Sequence, residues 1–436
     1  MERLVEWNVE LLTNILKEIV TSRISLDIVP QSDHLLSKLE MQQKVSQVEN
    51  VISEVQEVIT LPEYNGATEI DPTHIILDTK VVDQMRLYVT HIAKLYQDNP
   101  FHNFEHASHV TMSVVSNKPA VGLLSCRVLE GNLSLFACTQ VKLLSRIIAP
   151  DKGNLGNKND AQNLHDHTYG ITSDPLTRFS VVLAALIHDA DHPGVPNSQL
   201  IKEGDTMAEL YHNKSIAEQN SVDLAWDLLQ EPLFKELRRC IYQTEGEMVR
   251  FRQLIVNTVL ATDIMDKDSK TLRNNKWDKA FKNMDSTESD RDMVNRKATI
   301  VIEHLIQASD VAHTMQHWHI YRKWNEKLFK EMHQAYVEGR AEKDPSEFWY
   351  QGEIGFLDFY VIPLAKKLKD CGVFGVSSDE YLQYALNNRK EWEQKGEAVV
   401  NDLVLSVSNQ EMYAMQHQNE RKNSLDALKD QIKEDA

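Results

Sequence analysis

The 436-residue sequence predicts an all-α fold. Three observations carry that expectation. Apolar residues recur at helical spacing in one long segment after another. Long alternating strand patterns are missing throughout. Stretches rich in Pro, Gly, Asn and Asp separate the periodic segments, and such residues interrupt helices.

Taken in order, residues 2–22 place Leu4, Val5, Leu11, Leu12, Ile15, Leu16, Ile19 and Val20 on one amphipathic helix. Residues 33–60 carry Leu35, Leu36, Leu39, Val45, Val48, Val51, Ile52, Val55 and Val58 in an approximate heptad rhythm, read as a second helix. These two segments define an N-terminal extension over 1–75. They are expected either to pack on the core or to act as a connector or homodimer contact. Pro62 to Pro72 is a break. A helix resumes over 81–97, Asp98-Asn99-Pro100 ends it, and the next runs from about 102 through Val114. Residues 115–140 fit no period. HVTMSV before them and VKLLSRII after them would join into one helix, so the piece reads as an insertion, either a surface loop or translated intron sequence. Residues 151–175 read as loop. Helical patterns fill 176–190, 206–230, 233–243, 246–266, 291–335, 345–370 and 378–405. The main domain is therefore expected over 76–405, with 406–436 as a polar tail, frayed or disordered.

Apolar content of 42% and charged content of 26% are ordinary for a soluble globular protein. No apolar run approaches the roughly 20 residues of a membrane span, and MERLVEWNVELL lacks a signal-peptide core. A net charge of −18 argues against nucleic acid as a partner, because phosphate backbones are bound by an excess of Lys and Arg. A small anionic substrate is still compatible, since bound metal ions dominate a local field. The four cysteines show no paired metal-ligand spacing and fit a reducing, intracellular compartment.

Two histidine stretches organise the chain: HNFEH at 102–106 and ALIHDADHPG at 185–194. His102 and His106 are four apart and would share one helix face, and His188 and His192 repeat that spacing around Asp189 and Asp191. VVLAALIHDADHPG ends an apolar, hence buried, helix in a His-Asp pair that needs a partner or a metal. Asp310 in IQASDVAH sits on another apolar helix. Imidazole and carboxylate at this density is the chemistry of a divalent metal site.

With HNFEHASHV, HDADHPGVPN, LATDI at 260–264, QASDVAHT and EIGFLDFYVIPL at 353–364, the sequence resembles the class I cyclic nucleotide phosphodiesterases, members of the HD-type metal phosphohydrolases. The resemblance covers roughly 76–400. It implies about sixteen helices around one pocket and hydrolysis of 3′,5′-cyclic nucleotides (cAMP, cGMP) to 5′-nucleotides. It also implies two divalent metals. The first, zinc-like, would be held by His106, His188, Asp189 and Asp310. The second, magnesium or manganese, would share Asp189, with His192 and Glu218 orienting its waters. Such a pair activates a water to hydroxide. His102 is the expected general acid for the leaving oxygen, and Glu391 in NRKEW matches the glutamate that holds it. Phe356 and Leu328 match the two faces of the purine clamp, and Thr262 and Asp263 the pocket wall near the metals. Tyr321 and Trp324 read as core.

Three departures from the family pattern, over four residues, stand out. Glu353 stands where the family has a purine-binding glutamine, and Gln351 points elsewhere on the helix. His313 stands where an asparagine is usual, and Asn220 and Ser221 replace two histidines after Glu218. An ionised Glu353 only accepts hydrogen bonds, which suits the N1–H and N2–H of a shifted guanine; protonated, it offers one donor and one acceptor, as glutamine does. Two other readings stand beside hydrolysis of cyclic nucleotides. One is an HD phosphohydrolase of another phosphoester. The other is a catalytically impaired cyclic-nucleotide-binding or scaffold protein. No regulatory domain is recognisable in the first 75 residues, which also fit the remnant of a linker from a larger, membrane-anchored fusion.

Overall fold

The computed structural model describes residues 1–33, 35–38, 40, 51–64, 66, 70–114, 158–282, 289–374 and 377–434. The proposed insertion at 115–140 lies outside them. Among the described residues there are sixteen bounded α-helices and no strand, as the periodicity predicts. The core is one large apolar cluster that runs from Val5 in the first helix to Val407 in the last.

Helix α1 (Glu2–Ser25) packs against α2 (Thr79–Leu95), α3 (Phe104–Val114) and α5 (Pro175–Ile187). Leu12 and Leu16 on it are fully buried, and Asn8 Nδ2 donates to Ser108 Oγ at 3.0 Å. Arg23 at its end donates to the Cys240 and Ile241 carbonyls and to Glu247 Oε1 at 2.8 Å. So α1 packs on the domain core, the first of the two expected alternatives, and its apolar stripe is buried within the chain.

The helix expected over 33–60 does not extend through 51–60. Among the described residues of this segment, 33, 35–38 and 40 are helical, and Val51–Glu54 is a 3-10 turn followed by an irregular strap. Polar side chains of three core helices satisfy the strap's backbone in place of helical bonds. Gln219 Oε1 on α8 (Ile216–Gln230) accepts from Ile52 N at 3.1 Å. Asn257 on α10 (Glu245–Leu260) accepts from Gln56 N at 2.9 Å. On α12 (Asp290–Asp310), Thr299 and Asn295 accept from Ile59 N at 2.9 Å and Leu61 N at 3.0 Å.

The other helices, in order, are α4 (Lys158–His167), α6 (Asn197–Glu203), α7 (Thr206–Leu210), α9 (Lys235–Ile241), α11 (Lys267–Phe281), α13 (Trp318–Val337), α14 (Trp349–Phe356), α15 (Ile362–Asp370) and α16 (Ser377–Glu434). Several expected boundaries move. The 206–230 pattern is split by a turn in which His212, Asn213 and Ser215 take positive φ. The 291–335 pattern is split by the 3-10 turn Ala312–Met315 immediately after Asp310. LATDI starts at Leu260, the last residue of α10, and its other four residues lie in the turn beyond. Leu357–Val361 forms one π-helical turn between α14 and α15, and the expected polar tail is helical to Glu434.

Candidate active site

Helix α5 is apolar all round and starts with a firm cap, the Asp174 carboxylate accepting from Thr177 N. It ends at Ile187, so His188 and Asp189 emerge from the core at its C-terminus. His188 and His192 do not share a helix face. The chain turns at Asp191, with φ 62°, and Gln97 and Asn220 hold the Asp191 carboxylate at 2.9 and 3.2 Å. Ser221 Oγ donates to the Ala190 carbonyl at 2.7 Å. Asn220 and Ser221, the two departures beside Glu218, therefore brace the turn that carries His188, Asp189 and His192. His102 likewise lies in the bend before α3, while His106 is on that helix.

His106 and His188 are almost wholly buried. His188 Nδ1 lies 2.9 Å from the Ala185 carbonyl, a contact that places an N–H there and makes Nε2 the ligand atom of the neutral imidazole. That Nε2 faces Asp189 Oδ2 at 3.1 Å and Asp310 Oδ1 at 3.6 Å. His106 Nε2 faces the same two carboxylates at 3.7 and 3.1 Å. Two imidazole Nε2 atoms and two carboxylates thus converge on one small volume, where either protons on the rings or a bound cation balances the negative charge. One ligand atom each of His106, His188 and Asp310 lies within 4.8 Å of the others, and the mixed N/O set suits a divalent ion.

Glu218, near the start of α8, is the other carboxyl here. Burial, then the charge of Asp263, pushes it up to about 8. Asn197 Nδ2 donates to Glu218 Oε2 at 2.9 Å, and Asn197 Oδ1 accepts from Ala217 N at 3.0 Å. Asp263 accepts from Ser215 Oγ at 2.8 Å and from the Met265 and Asp266 amides at 3.1 and 3.0 Å. The Thr262 hydroxyl donates to Val259 O at 2.7 Å. Both pocket-wall candidates are thus engaged in local hydrogen bonds.

The residue that holds His102 is Glu331 on α13, not Glu391. Glu331 Oε1 is paired with His102 Nδ1, and Oε2 accepts from the Phe101 and His102 amides at 2.8 and 2.9 Å. Glu391 sits on α16, partly exposed, in an ion pair with Lys395 one turn away. Burial opposes a charge on His102, but the Glu331 carboxylate outweighs it and raises the imidazole to about 9. The His102 ring stacks on His192 at 3.9 Å between centroids. Burial, followed by the charge on His102, lowers His192 to about 4, and its Nδ1 accepts from Gly194 N at 3.2 Å. A charged imidazole and a neutral one thus lie face to face beside the convergent His-Asp group.

Glu353 is buried on α14 and accepts a hydrogen bond from the Tyr321 hydroxyl; Gln351 is exposed. Trp349 Nε1 donates to Asn325 Oδ1 at 3.1 Å, which orients the Asn325 amide toward Glu353 as a second donor. Burial dominates, and Glu353 is pushed up to about 7. Phe356 and Leu328 are half-buried against the core, and Phe356 stacks on Tyr360 at 5.4 Å. His313 is buried beside Phe101, Tyr321 and Trp324, with ring centroids 5.7, 6.3 and 6.0 Å away.

The sequence model of the family described as 3′5′-cyclic nucleotide phosphodiesterase matches residues 159–374, a span that holds His188, Asp189, Glu218, Asp310, Glu331 and Glu353. The chain belongs to the class I 3′,5′-cyclic nucleotide phosphodiesterase family. Among similar curated proteins, the dual specificity calcium/calmodulin-dependent 3′,5′-cyclic nucleotide phosphodiesterase 1B of Bos taurus is 25% identical over 202 residues, 44% of this chain and 34% of that protein. The cGMP-specific 3′,5′-cGMP phosphodiesterase 3 of Dictyostelium discoideum is 20% identical over 317 residues, 71% of this chain and 55% of that one. The chain thus spans between a third and about half of the length of these relatives. Among solved structures, the phosphodiesterase domain of the RhoPDE fusion protein from the choanoflagellate Salpingoeca rosetta shares the fold, with a TM-score of 0.52, 20% identity, and coverage of 75% of this chain and 85% of that one.

For this phosphodiesterase-family chain, sequence reasoning missed Glu331, Asn197 and Asn325. A signal for Glu331 was present. Tyr321, Trp324, Leu328, Glu331 and Ala335 follow the 3-4-3-4 spacing of one helix face, so a carboxylate stands in an apolar stripe. A charge in that position needs a partner.

Proposed function

We propose that this chain hydrolyses 3′,5′-cyclic nucleotides to 5′-nucleoside monophosphates, with His102 as general acid and Glu331 as the residue that positions and charges it. One observation supports this reading above the others. A partly exposed imidazole paired with a buried carboxylate lies next to a buried His-Asp group suited to divalent ions.

In this reading His106, His188, Asp189 and Asp310 would hold a zinc-like ion, and Asp189, His192 and Glu218 would serve a second, magnesium or manganese. Bound divalent ions supply Lewis acidity at the phosphoryl group. The chain's own side chains do the rest. Glu331 fixes the His102 ring through Nδ1, which leaves Nε2–H for the leaving 3′-oxygen. Glu353 meets the purine edge, protonated in part near neutral pH, with Phe356 and Leu328 at the faces of the base. His313 adds a polar contact beside it, and Thr262 and Asp263 shape the wall towards Glu218.

No helix among the described residues is long and apolar enough to cross a membrane. We place the chain inside the cell, alone or within a larger membrane-anchored fusion; the choanoflagellate neighbour, itself a domain of a fusion protein, supports the latter architecture.

The test is purified protein with Mg²⁺ or Mn²⁺, given cAMP and cGMP separately, with products separated by chromatography and tightly bound metal measured. A 5′-nucleotide from at least one substrate is expected. No product from either overturns the proposal.

A further inference from the structure

The acid–base pair contains a second group of metal donors. One ligand atom each of His102, His192 and Glu331 lies within 4.8 Å of the others. The two imidazoles stack with centroids 3.9 Å apart and planes at 29°, and Glu331 is fixed by two backbone amides. The His102 side chain is 23% exposed, so an ion has access, while the Glu331 side chain, at 4%, forms the floor. Two imidazoles and one carboxylate form a donor set that zinc accepts with a fourth position left for water. Magnesium prefers oxygen ligands and retains its own waters, so this group selects against it.

We propose that His102, His192 and Glu331 form an inhibitory site for zinc or a similar borderline divalent ion. This rests on the phosphodiesterase reading, because the group it would capture is the general acid. A metal on His102 replaces one of the two N–H protons of the imidazolium and competes with the Glu331 contact that fixes the ring. The ion also competes with the Gly194 amide for His192 and with the Phe101 and His102 amides for Glu331. Its affinity is accordingly lower than that of the buried His106–His188–Asp310 group. The site fills when free zinc rises and leaves the enzyme active in magnesium alone.

The experiment takes the full chain loaded with Mg²⁺ and adds Zn²⁺ stepwise. Bound zinc is counted by equilibrium dialysis with elemental analysis, and turnover is measured in parallel. Glu331→Gln keeps an acceptor for His102 but is a poor metal ligand. His102→Asn removes a ligand outright, and circular dichroism checks that each variant is folded. Wild type should bind one zinc equivalent more than either variant. Glu331→Gln should need at least ~10-fold more zinc to halve its own starting rate. Equal zinc counts in wild type and the folded variants overturn the proposal, as does an extra equivalent that leaves wild-type turnover unchanged. Failure of the underlying reading appears separately, as absence of product before any zinc is added, and the zinc count needs no turnover.

Discussion

Glu331 and Glu353 are both buried glutamates, on successive helices α13 and α14, yet burial leaves them in opposite states. Burial pushes both carboxyls up. At Glu331 the charged His102 ring overturns that push and lowers the group to about 2. At Glu353 the partners are a phenol and an amide, which donate hydrogen bonds but bring no positive charge, and the group stays near 7. A hydrogen bond from a neutral donor does not offset the desolvation of a carboxylate; a full opposite charge does. One glutamate therefore keeps an acid charged, and the other changes state within the working pH range.

The largest expected effect comes from removing the charged partner. His102→Ala should lower kcat by ~10²–10⁴-fold with the tightly bound metal retained. Equal activity in that variant would break the assignment of the acid.

Glu331→Gln should cost ~10–100-fold at pH 8 and, more diagnostically, shift the pH profile. The raised imidazole must be protonated to act, so wild-type activity should persist as pH rises and fall through about 9. Without the carboxylate that limb should move down towards the ordinary histidine value, about 6.5. An unmoved limb would show that another group sets it.

Glu353 predicts an effect on stability. Its folded pKa lies above its ordinary value of 4.5, so the folded state holds the proton more tightly than the unfolded state. The stabilisation is present below pH 4.5 and is lost as pH rises through about 7. A difference of that size corresponds to ~3 kcal/mol. Urea unfolding should show that decline in wild type and a flatter curve in Glu353→Gln, which should also keep or raise activity and lose less of it at alkaline pH. A large drop in kcat/KM for the glutamine variant would sink the proposed role of Glu353.

Tyr321→Phe should act least. Loss of one neutral donor raises Glu353 further and changes KM by ~3–10-fold with kcat little altered. A fall in kcat as large as that of His102→Ala would mean that the two glutamates are not independent.

The parts legible in the sequence are those where residue type and chemistry coincide. Helices with apolar stripes, α1, α2 and α5 among them, followed from periodicity. His106, His188, Asp189 and Asp310 stood out as metal-ligand types within apolar helices. Helix α11 did not stand out, because its inner face is Arg273, Lys276, Trp277 and Ala280. Its cations are buried only because Lys276 meets Glu303 at 2.9 Å and Arg273 meets the Asp263 carbonyl at 2.8 Å. The strap at 51–61 was read as helix because a valine repeat satisfies a helical pattern. Four side chains more than 160 residues away decide otherwise. Glu331 and Glu391 are both glutamates on long helices; the apolar stripe around Glu331 marks it as needing a partner, and the fold shows that partner to be His102.

The strap and α1 also set the order in which this chain completes itself. Arg23 waits for residues 240–247, and the strap for 257–299. Synthesis at ~5–20 residues per second separates Arg23 from its partners by ~10–45 s, while the apolar face of α1 meets α2 and α5 sooner. Closing contacts at such separations is slow. Residues 2–25 and 51–61 are thus made well before the helices that lock them, and their last contacts close late.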